Sequence, residues 1–362
     1  MVTFFLFIAI IYGLFWLIGA LLILRKSYDS LELEKPYEVG ISIIIAAKNE
    51  LENLKKNLPY FLNLNYEKYE IIIVVNNSND DSYGFLLSQK NHKLNPILLE
   101  QTPKGISPKK FALTFGIQHS IYDYLVFSDA DCIPLSKEWL NFYNQSFQNQ
   151  NDIVIGVSPY CSKKNFLNRF IQWETFFTGF LYVTAVLMRI PYMAVGRNWG
   201  MKKEVFYKEN GFHKHLGILS GDDDLFIQNL ENNYRFDVLI HPLSQTISEP
   251  KYHWKEYLEQ KKRHLSVSKY YQLKTQFLLF MLNFLIITYY FSWIYIIFFG
   301  TNQILFLSLC MIFITKLISI KLLTKVFQMK ITLIYCILGE LILILFQLIV
   351  LPLSFLKPIK WK

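Results

Sequence analysis

The chain has 362 residues, 52% of them apolar, and 37 basic against 28 acidic side chains, a formal charge of +9. The apolar residues crowd both ends while the middle has the mixed composition of a folded domain, which argues against a uniformly soluble globule. The basic excess is spread over apolar spans and their flanks, which argues against a nucleic-acid partner. The four cysteines, Cys132, Cys161, Cys310 and Cys336, lack Cys-x-x-Cys spacing, which argues against a zinc site or disulfide scaffold.

Val2 to Leu24 has no charged side chain and exceeds the roughly 20 residues that cross a bilayer core. Arg25 and Lys26 follow this run, whereas a cleaved signal peptide carries its basic residues first. The segment is therefore expected to remain as an anchor with its C-terminal end in the cytoplasm. Four parts result: an anchor (1–26), a cytoplasmic domain (38–255), a basic interfacial segment (256–275) and C-terminal membrane helices (276–362).

The cytoplasmic domain opens with a strand, Ile41 to Ala46, a loop of Ala47, Lys48, Asn49 and Glu50, and a helix, Leu51 to Leu62. A second strand, Glu70 to Val75, runs into the polar cluster begun by Asn76 and Asn77. A third lies at about Pro96 to Glu100. Pro103, Lys104 and Gly105 then make a turn that brings Lys109 and Lys110 near any bound phosphate, or simply starts a helix. A fourth strand, Tyr124 to Ser128, leads straight into Asp129, Ala130 and Asp131. Strands alternating with helices imply a mostly parallel sheet with helices on both faces. Such sheets bind ligands outside the carboxyl ends of their strands, where each polar cluster falls.

Asp129 and Asp131 repel each other unless a divalent cation, Mg²⁺ or Mn²⁺, neutralises them and bridges to a diphosphate. The plainer alternative is a solvated loop or a helix cap near Ser136. Phe166 to Gly200 then contains Trp173, an apolar run from Phe176 to Met188, and Gly196, Arg197 and Asn198. The run is too short for a crossing and is expected to lie at the interface, lining an acceptor entrance, with Trp173 and Asn198 as acceptor contacts. Burial against the sheet is the alternative.

Gly221, Asp222, Asp223 and Asp224 precede an apolar run. They are either the charged start of a helix or a general base that takes a proton from an acceptor hydroxyl. Gln260, Lys261, Lys262, Arg263 and His264 open a basic amphipathic stretch that holds anionic lipid or a leaving diphosphate. Apolar runs return at about Phe277 to Phe299, Ile304 to Ile320 and Ile331 to Leu356, the first two joined by Gly300, Thr301 and Asn302. Lys316, Lys321, Lys325 and Lys330 are expected on or near the cytoplasmic side, but Lys357, Lys360 and Lys362 fit that rule poorly if every run crosses.

The order of these motifs over Val39 to Tyr271 resembles the family 2 inverting glycosyltransferases. The resemblance implies a GT-A nucleotide-diphospho-sugar transferase fold, α/β with a mostly parallel sheet, plus transmembrane helices. It makes Asp129 and Asp131 the metal and diphosphate pair, and Asp222, with Asp223 next, the catalytic base. Gln260 and Arg263 correspond to a Gln-x-x-Arg-Trp motif that closes over the donor, with His264 in place of Trp. Ala47, Asn49, Glu50, Asn76, Asn77, Lys109 and Asp129 join Gln260, Arg263 and His264 as donor contacts. Asn76 and Asn77 stand where the family commonly has Asp, and an Asn still bonds a uracil edge. The partners implied are a nucleotide-sugar donor, most simply a UDP-sugar, a lipid, lipid-linked or saccharide acceptor, and a membrane. The aromatic and Lys/Asn-rich composition points to a bacterial inner membrane. Another nucleotide-sugar or phosphosugar transferase, or a non-catalytic membrane scaffold, are the rival readings.

Overall fold

The computed structural model describes residues 1–29, 37–300 and 302–356. Thr301 of the expected hairpin connection and Lys357, Lys360 and Lys362 of the basic tail lie outside the described residues. The chain opens with helix α1 (Val2–Asp29) and then alternates: β1 (Ile41–Ala47), α2 (Leu51–Leu62), β2 (Tyr69–Asn76), α3 (Ser82–Ser88), β3 (Leu94–Leu99), α4 (Pro108–His119) and β4 (Tyr124–Asp129). The second half contains β5 (Cys132–Pro134), α5 (Trp139–Gln148), β6 (Ile153–Gly156), α6 (Phe166–Leu187), β7 (Trp199–Lys202), α7 (Lys203–Lys208), α8 (Asp224–Gln228), β8 (Phe236–Leu239), β9 (Thr246–Ser248) and α9 (Trp254–Leu265). Three long helices follow, α10 (Leu273–Phe299), α11 (Gln303–Val326) and α12 (Leu333–Leu356).

Seven strands form one sheet in the order β3-β2-β1-β4-β7-β6-β8, and β5 pairs antiparallel with β9 beside it. β3, β2, β1 and β4 are parallel, β7 is antiparallel to both neighbours, and β6 and β8 are again parallel. Every residue of β1 and β2 is buried, which is why both read as continuous β-branched runs rather than alternating ones. Alternation appears instead in which core each side chain enters. Ile44 and Ala46 join one core with Ile72 and Val74, while Ile43, Ile45 and Ala47 join the other with Leu54, Leu58 and Phe61 of α2.

The first of these cores continues without a break through α6 into α1, α10, α11 and α12. Helix α6 differs from expectation: it is a full 22-residue helix starting at Phe166, mostly buried between sheet and terminal helices. Its indole and phenyl rings bind the layers together. Phe180 stacks on Trp16 of α1 with centroids 4.5 Å apart, and Phe170 meets Phe346 of α12 edge-on at 4.9 Å. A methyl group at Gly339 of α12 would come within 2.3 Å of the Trp173 ring, so glycine there permits the close approach of α12 to α6.

α1, α6, α10, α11 and α12 are each long and apolar enough to cross a bilayer. Lys316, one of the lysines expected on or near the cytoplasmic side, is not at a surface. It is fully buried in the middle of α11, its ammonium 2.5 Å from Glu340 of α12. Tyr12 and Trp16 of α1 and Tyr290 of α10 also donate to the Glu340 carboxylate, at 2.6, 3.1 and 3.1 Å. One carboxylate thus joins four helices, and its partner explains the burial of Lys316, since a lone charge at that depth is costly. Lys316→Met is expected to destabilise the detergent-solubilised chain by about 3–5 kcal/mol, and adding Glu340→Leu to restore most of the loss. Thermal unfolding of the two variants checks this; a single variant as stable as wild type would remove the pair as the clamp.

Candidate active site

Strand β4 delivers Asp129 at its carboxyl end, and the chain turns at once so that Asp131 and Cys132 stay beside it. One ligand atom from each of the three lies within 4.8 Å of the others. Asn57 of α2 fixes the turn by donating to the Ala130 carbonyl at 2.9 Å. Burial would raise the Asp129 pKa, but the cations of Lys109, Arg197 and Arg263 outweigh it and hold the carboxyl below its ordinary range. Burial, with Asp131 and Asp129 adding to it, pushes the Cys132 thiol up, so it stays protonated and donates to Asp131 at 3.4 Å.

The acidic triplet is brought to Asp129 by the first turn of α4. Lys109 Nζ lies 3.1 Å from Asp129 Oδ1 and 3.0 Å from Asp222 Oδ2, bridging the two motifs. The neighbouring Lys110 is fully buried and donates to the carbonyls of His215, Ile218 and Ser220 at 2.8, 2.9 and 2.9 Å. Those carbonyls belong to the loop that ends at Gly221, so one helical turn carries both the bridging charge and the support of the loop it bridges to. Gly221 has φ +74, and a methyl there would meet Val267 at 2.8 Å, so both backbone and space require glycine.

The triplet does form the charged start of a helix, α8. Asp223 caps α8, its Oδ1 accepting from the Asp224 amide at 2.9 Å, and its Oδ2 accepts from the Gly196 amide at 2.6 Å. Burial and then the Asp222 charge push its carboxyl up to about 6. Asp224 is raised by burial and then by Asp223, and accepts from the Tyr271 hydroxyl at 2.6 Å.

Helix α9 covers this cleft. Its Lys261 ammonium lies 2.5 Å from Glu174 of α6, and Tyr257 donates to the same carboxylate at 2.6 Å. Gln260, Arg263 and His264 face inward, and Gln260 donates to the Tyr160 hydroxyl at 3.4 Å. Burial, followed by repulsion from Lys261 and Arg263, drives the His264 pKa well down, so the imidazole is neutral. The cleft encloses about 1100 Å³ and is lined by Ala46, Glu50, Lys109, Asp129, Asp131, Asp222 and Asp223 together with these three α9 residues.

Several anticipated contacts lie elsewhere. Ala47 points into the α2 core; the alternation of β1 turns Ala46, not Ala47, to the cleft. Trp173 is fully buried against Phe177 and α12, and offers no surface to an acceptor. Asn198 is likewise fully buried: its oxygen accepts from Trp139 and Tyr143 and its amide donates to Val157 and Ser244 carbonyls, knitting β7 to its surroundings. Asn76 is buried and donates to Thr102 and to the Pro108 carbonyl, both at 2.9 Å, tying β2 to the start of α4. Asn49 and Asn77, both at positive φ, lie in the loops after β1 and β2, outside the lining of the cleft. Arg197 was not among the anticipated contacts, yet it lines the cleft, held by Ser158 through Nε and Nη2 at 2.7 Å each and packed 4.3 Å from the Tyr160 ring. Its only sequence signal was a polar break after the apolar α6.

Residues 42–209 match the family described as Glycosyl transferase family 2. Poly-beta-1,6-N-acetyl-D-glucosamine synthase from Staphylococcus epidermidis is 32% identical over 138 residues, 36% of this chain and 32% of that protein. Ceramide glucosyltransferase 3 from Caenorhabditis elegans is 24% identical over 215 residues, 58% of this chain and 46% of that one. These alignments therefore span a third to a half of the relatives' own length. A solved mannosyltransferase from Pyrobaculum calidifontis, in complex with GDP-Man and Mn²⁺, is similar with TM-score 0.47 and 17% identity, over 72% of this chain and 74% of that one. The family match spans β1 to α7 and holds the acidic pair at the end of β4, and helices of membrane-spanning length precede and follow it.

Proposed function

We propose that this chain is a membrane-bound inverting glycosyltransferase that moves a sugar from a nucleotide-diphosphate sugar, UDP-linked by first choice, to an acceptor hydroxyl. In this reading residues 1–26 and 276–362 hold the 38–255 domain and its 256–275 basic segment on the cytoplasmic face of a bacterial inner membrane. The observation that carries it is the Lys109 bridge: Asp129 and Asp222 meet on one ammonium at the carboxyl ends of the parallel strands, under the inward-facing Arg263. A scaffold would have no use for so many charges gathered in one cleft at the cost of burying them. The activities of the two relatives, a poly-N-acetylglucosamine synthase and a ceramide glucosyltransferase, support a hexose or N-acetylhexosamine as the sugar.

The donor set of Asp129 and Asp131 suits a hard divalent cation, since Cys132 stays a thiol and leaves only carboxylate oxygens. Such an ion, Mg²⁺ or Mn²⁺, would supply charge neutralisation to the diphosphate. Arg263 and Lys109 add cationic donors on the same side of the cleft. Gln260, neutral His264 and Glu50 border the donor. The Asp222 carboxylate, with Asp223 beside it, takes the acceptor proton as the acceptor oxygen bonds the anomeric carbon, while the carbon–oxygen bond to the diphosphate breaks and its electron pair leaves with the nucleotide.

Binding of UDP, GDP and the other nucleoside diphosphates to the solubilised chain, with and without Mn²⁺, tests the donor site. Metal-dependent binding of one of them, weakened about a hundredfold in Asp131→Ala, is the expected result. Absence of binding to any of them in folded wild-type protein would favour the scaffold.

A second expectation follows from Asp223. With its carboxyl held up to about 6, it is protonated below that value and accepts no further proton, so turnover should fall as pH drops through about 6. Stability runs the other way. The folded pKa exceeds the unfolded value of about 4, so the folded state binds the extra proton and loses that contribution as pH rises through about 6. Asn caps a helix as well as Asp does. Its single oxygen cannot accept from both the Asp224 and the Gly196 amides as Asp223 does, so Asp223→Asn should gain from losing the buried charge, lose the Gly196 contact, and lower turnover about a hundredfold. Wild-type turnover in both Asp222→Asn and Asp223→Asn would remove the base assignment.

A further inference from the structure

The cleft does not end at the carboxylates. Past Asp224 and Tyr271 it continues between α6, α10 and α12, and its walls change character: Leu279 and Leu282 on α10 face Leu343, Ile344 and Leu351 on α12. The arm follows α10 from Gln276 to Asn283, about 10 Å at the helical rise. Both helices are of membrane-spanning length, and on α10 the flanking Phe277 is 61% exposed, as expected of a face turned to lipid. Of the polar side chains along the arm, Gln276, Asn283 and Gln347 are uncharged and Glu340 is neutralised by Lys316 behind it, while Lys109, Lys261 and Arg263 lie back on the nucleotide side and Lys269 at the rim lies over the Tyr270 ring.

We propose that this apolar arm holds the hydrocarbon chain of a neutral membrane lipid whose free hydroxyl, presented to Asp222 and Asp223, is the acceptor. The inference rests on the transferase reading above and names its acceptor class. A growing saccharide threaded the same way would set its hydroxyls against five aliphatic side chains and leave many unpaired, at a cost for each. A lipid phosphate would suit the apolar arm, but it is already ionised near neutral pH and needs no base, so it would leave the carboxylate pair without a task. An alcohol-headed lipid with one or two acyl chains uses both halves of the cleft. In the transfer its hydroxyl oxygen bonds the anomeric carbon, its proton passes to the carboxylate pair, and the nucleotide diphosphate leaves with the electrons of the broken bond.

Full-length chain in phosphatidylcholine nanodiscs, irradiated with a diacylglycerol bearing a diazirine on one acyl chain, provides the test. Adducts mapped by mass spectrometry are expected at Leu279, Leu282 and 343–351, suppressed by unlabelled diacylglycerol. They should fall about tenfold in Leu351→Trp, which narrows the arm, with UDP binding as in wild type. Leu282→Trp makes the same test from the opposite wall if Leu351→Trp does not fold. Adducts confined to outward-facing residues such as Phe277 and Phe298, or suppression by a polyprenyl phosphate and not by diacylglycerol, would overturn the proposal. Photolabelling needs no donor, so wild-type protein that fails to bind any nucleotide would count against the transferase reading and leave the lipid arm to be judged by its own adducts.

Discussion

Asp129, Asp222 and Asp223 gather in one partly dehydrated cleft, where carboxylates repel strongly, and the first turn of α4 is what holds them there. The Lys109 ammonium sits between Asp129 and Asp222, and the Lys110 ammonium, one residue on, binds three carbonyls of the loop before the triplet. Burial lowers the Lys110 pKa to about 8, partly offset by the three aspartates, so the support is cationic at neutral pH. The turn is itself anchored. Pro108 starts the helix without a wasted amide, and its carbonyl is held by Asn76 from the end of β2. A chain of contacts therefore runs from the second strand through α4 to the acidic loop.

The relation of the domain to its helices follows from α6. A soluble domain tethered by a linker would end its core at the sheet surface, but here the core on one face of the sheet continues through α6 into α1 and α10–α12. Contacts that demand small residues mark the joins: a methyl at Gly19 of α1 would come within 2.5 Å of Phe180, and one at Gly339 within 2.3 Å of Trp173. Lys26 at the end of α1 reaches Asp237 of β8 at 2.6 Å. The Lys316–Glu340 pair then fixes the helices among themselves. The membrane helices are consequently walls of the cleft rather than a remote anchor, which is why an acidic site and an apolar arm share one cavity.

The elements of the first half of the sheet were legible because local signals and tertiary context agree. The buried strands β1 and β2 read as β-branched runs, and the polar ends of the parallel strands fall where such a sheet exposes its loops. α2 was placed from Leu51 to Leu62 by its apolar period. The order of the acidic pair, the triplet and the Gln-x-x-Arg segment pointed to one site, and the fold brings them to one cleft.

Sequence alone determined the strand and helix alternation, the terminal helices α1 and α10–α12 of membrane-spanning length and the identity of the charged motifs, since each depends on neighbours within a few residues. Tertiary structure alone decided the direction of each side chain and its partner. A one-residue step along β1 separates Ala46 in the cleft from Ala47 in the opposite core. Trp173 and Asn198 have the chemistry of acceptor contacts, yet packing across α6 and hydrogen bonds around β7 bury both. Lys316 belongs near a membrane surface by the charge rule for helix ends, but a carboxylate 24 residues on, brought alongside by a neighbouring helix, lets it lie in the interior. In each case the deciding contact is between residues distant in sequence, and pairing free energy of that kind leaves no periodic trace in the chain.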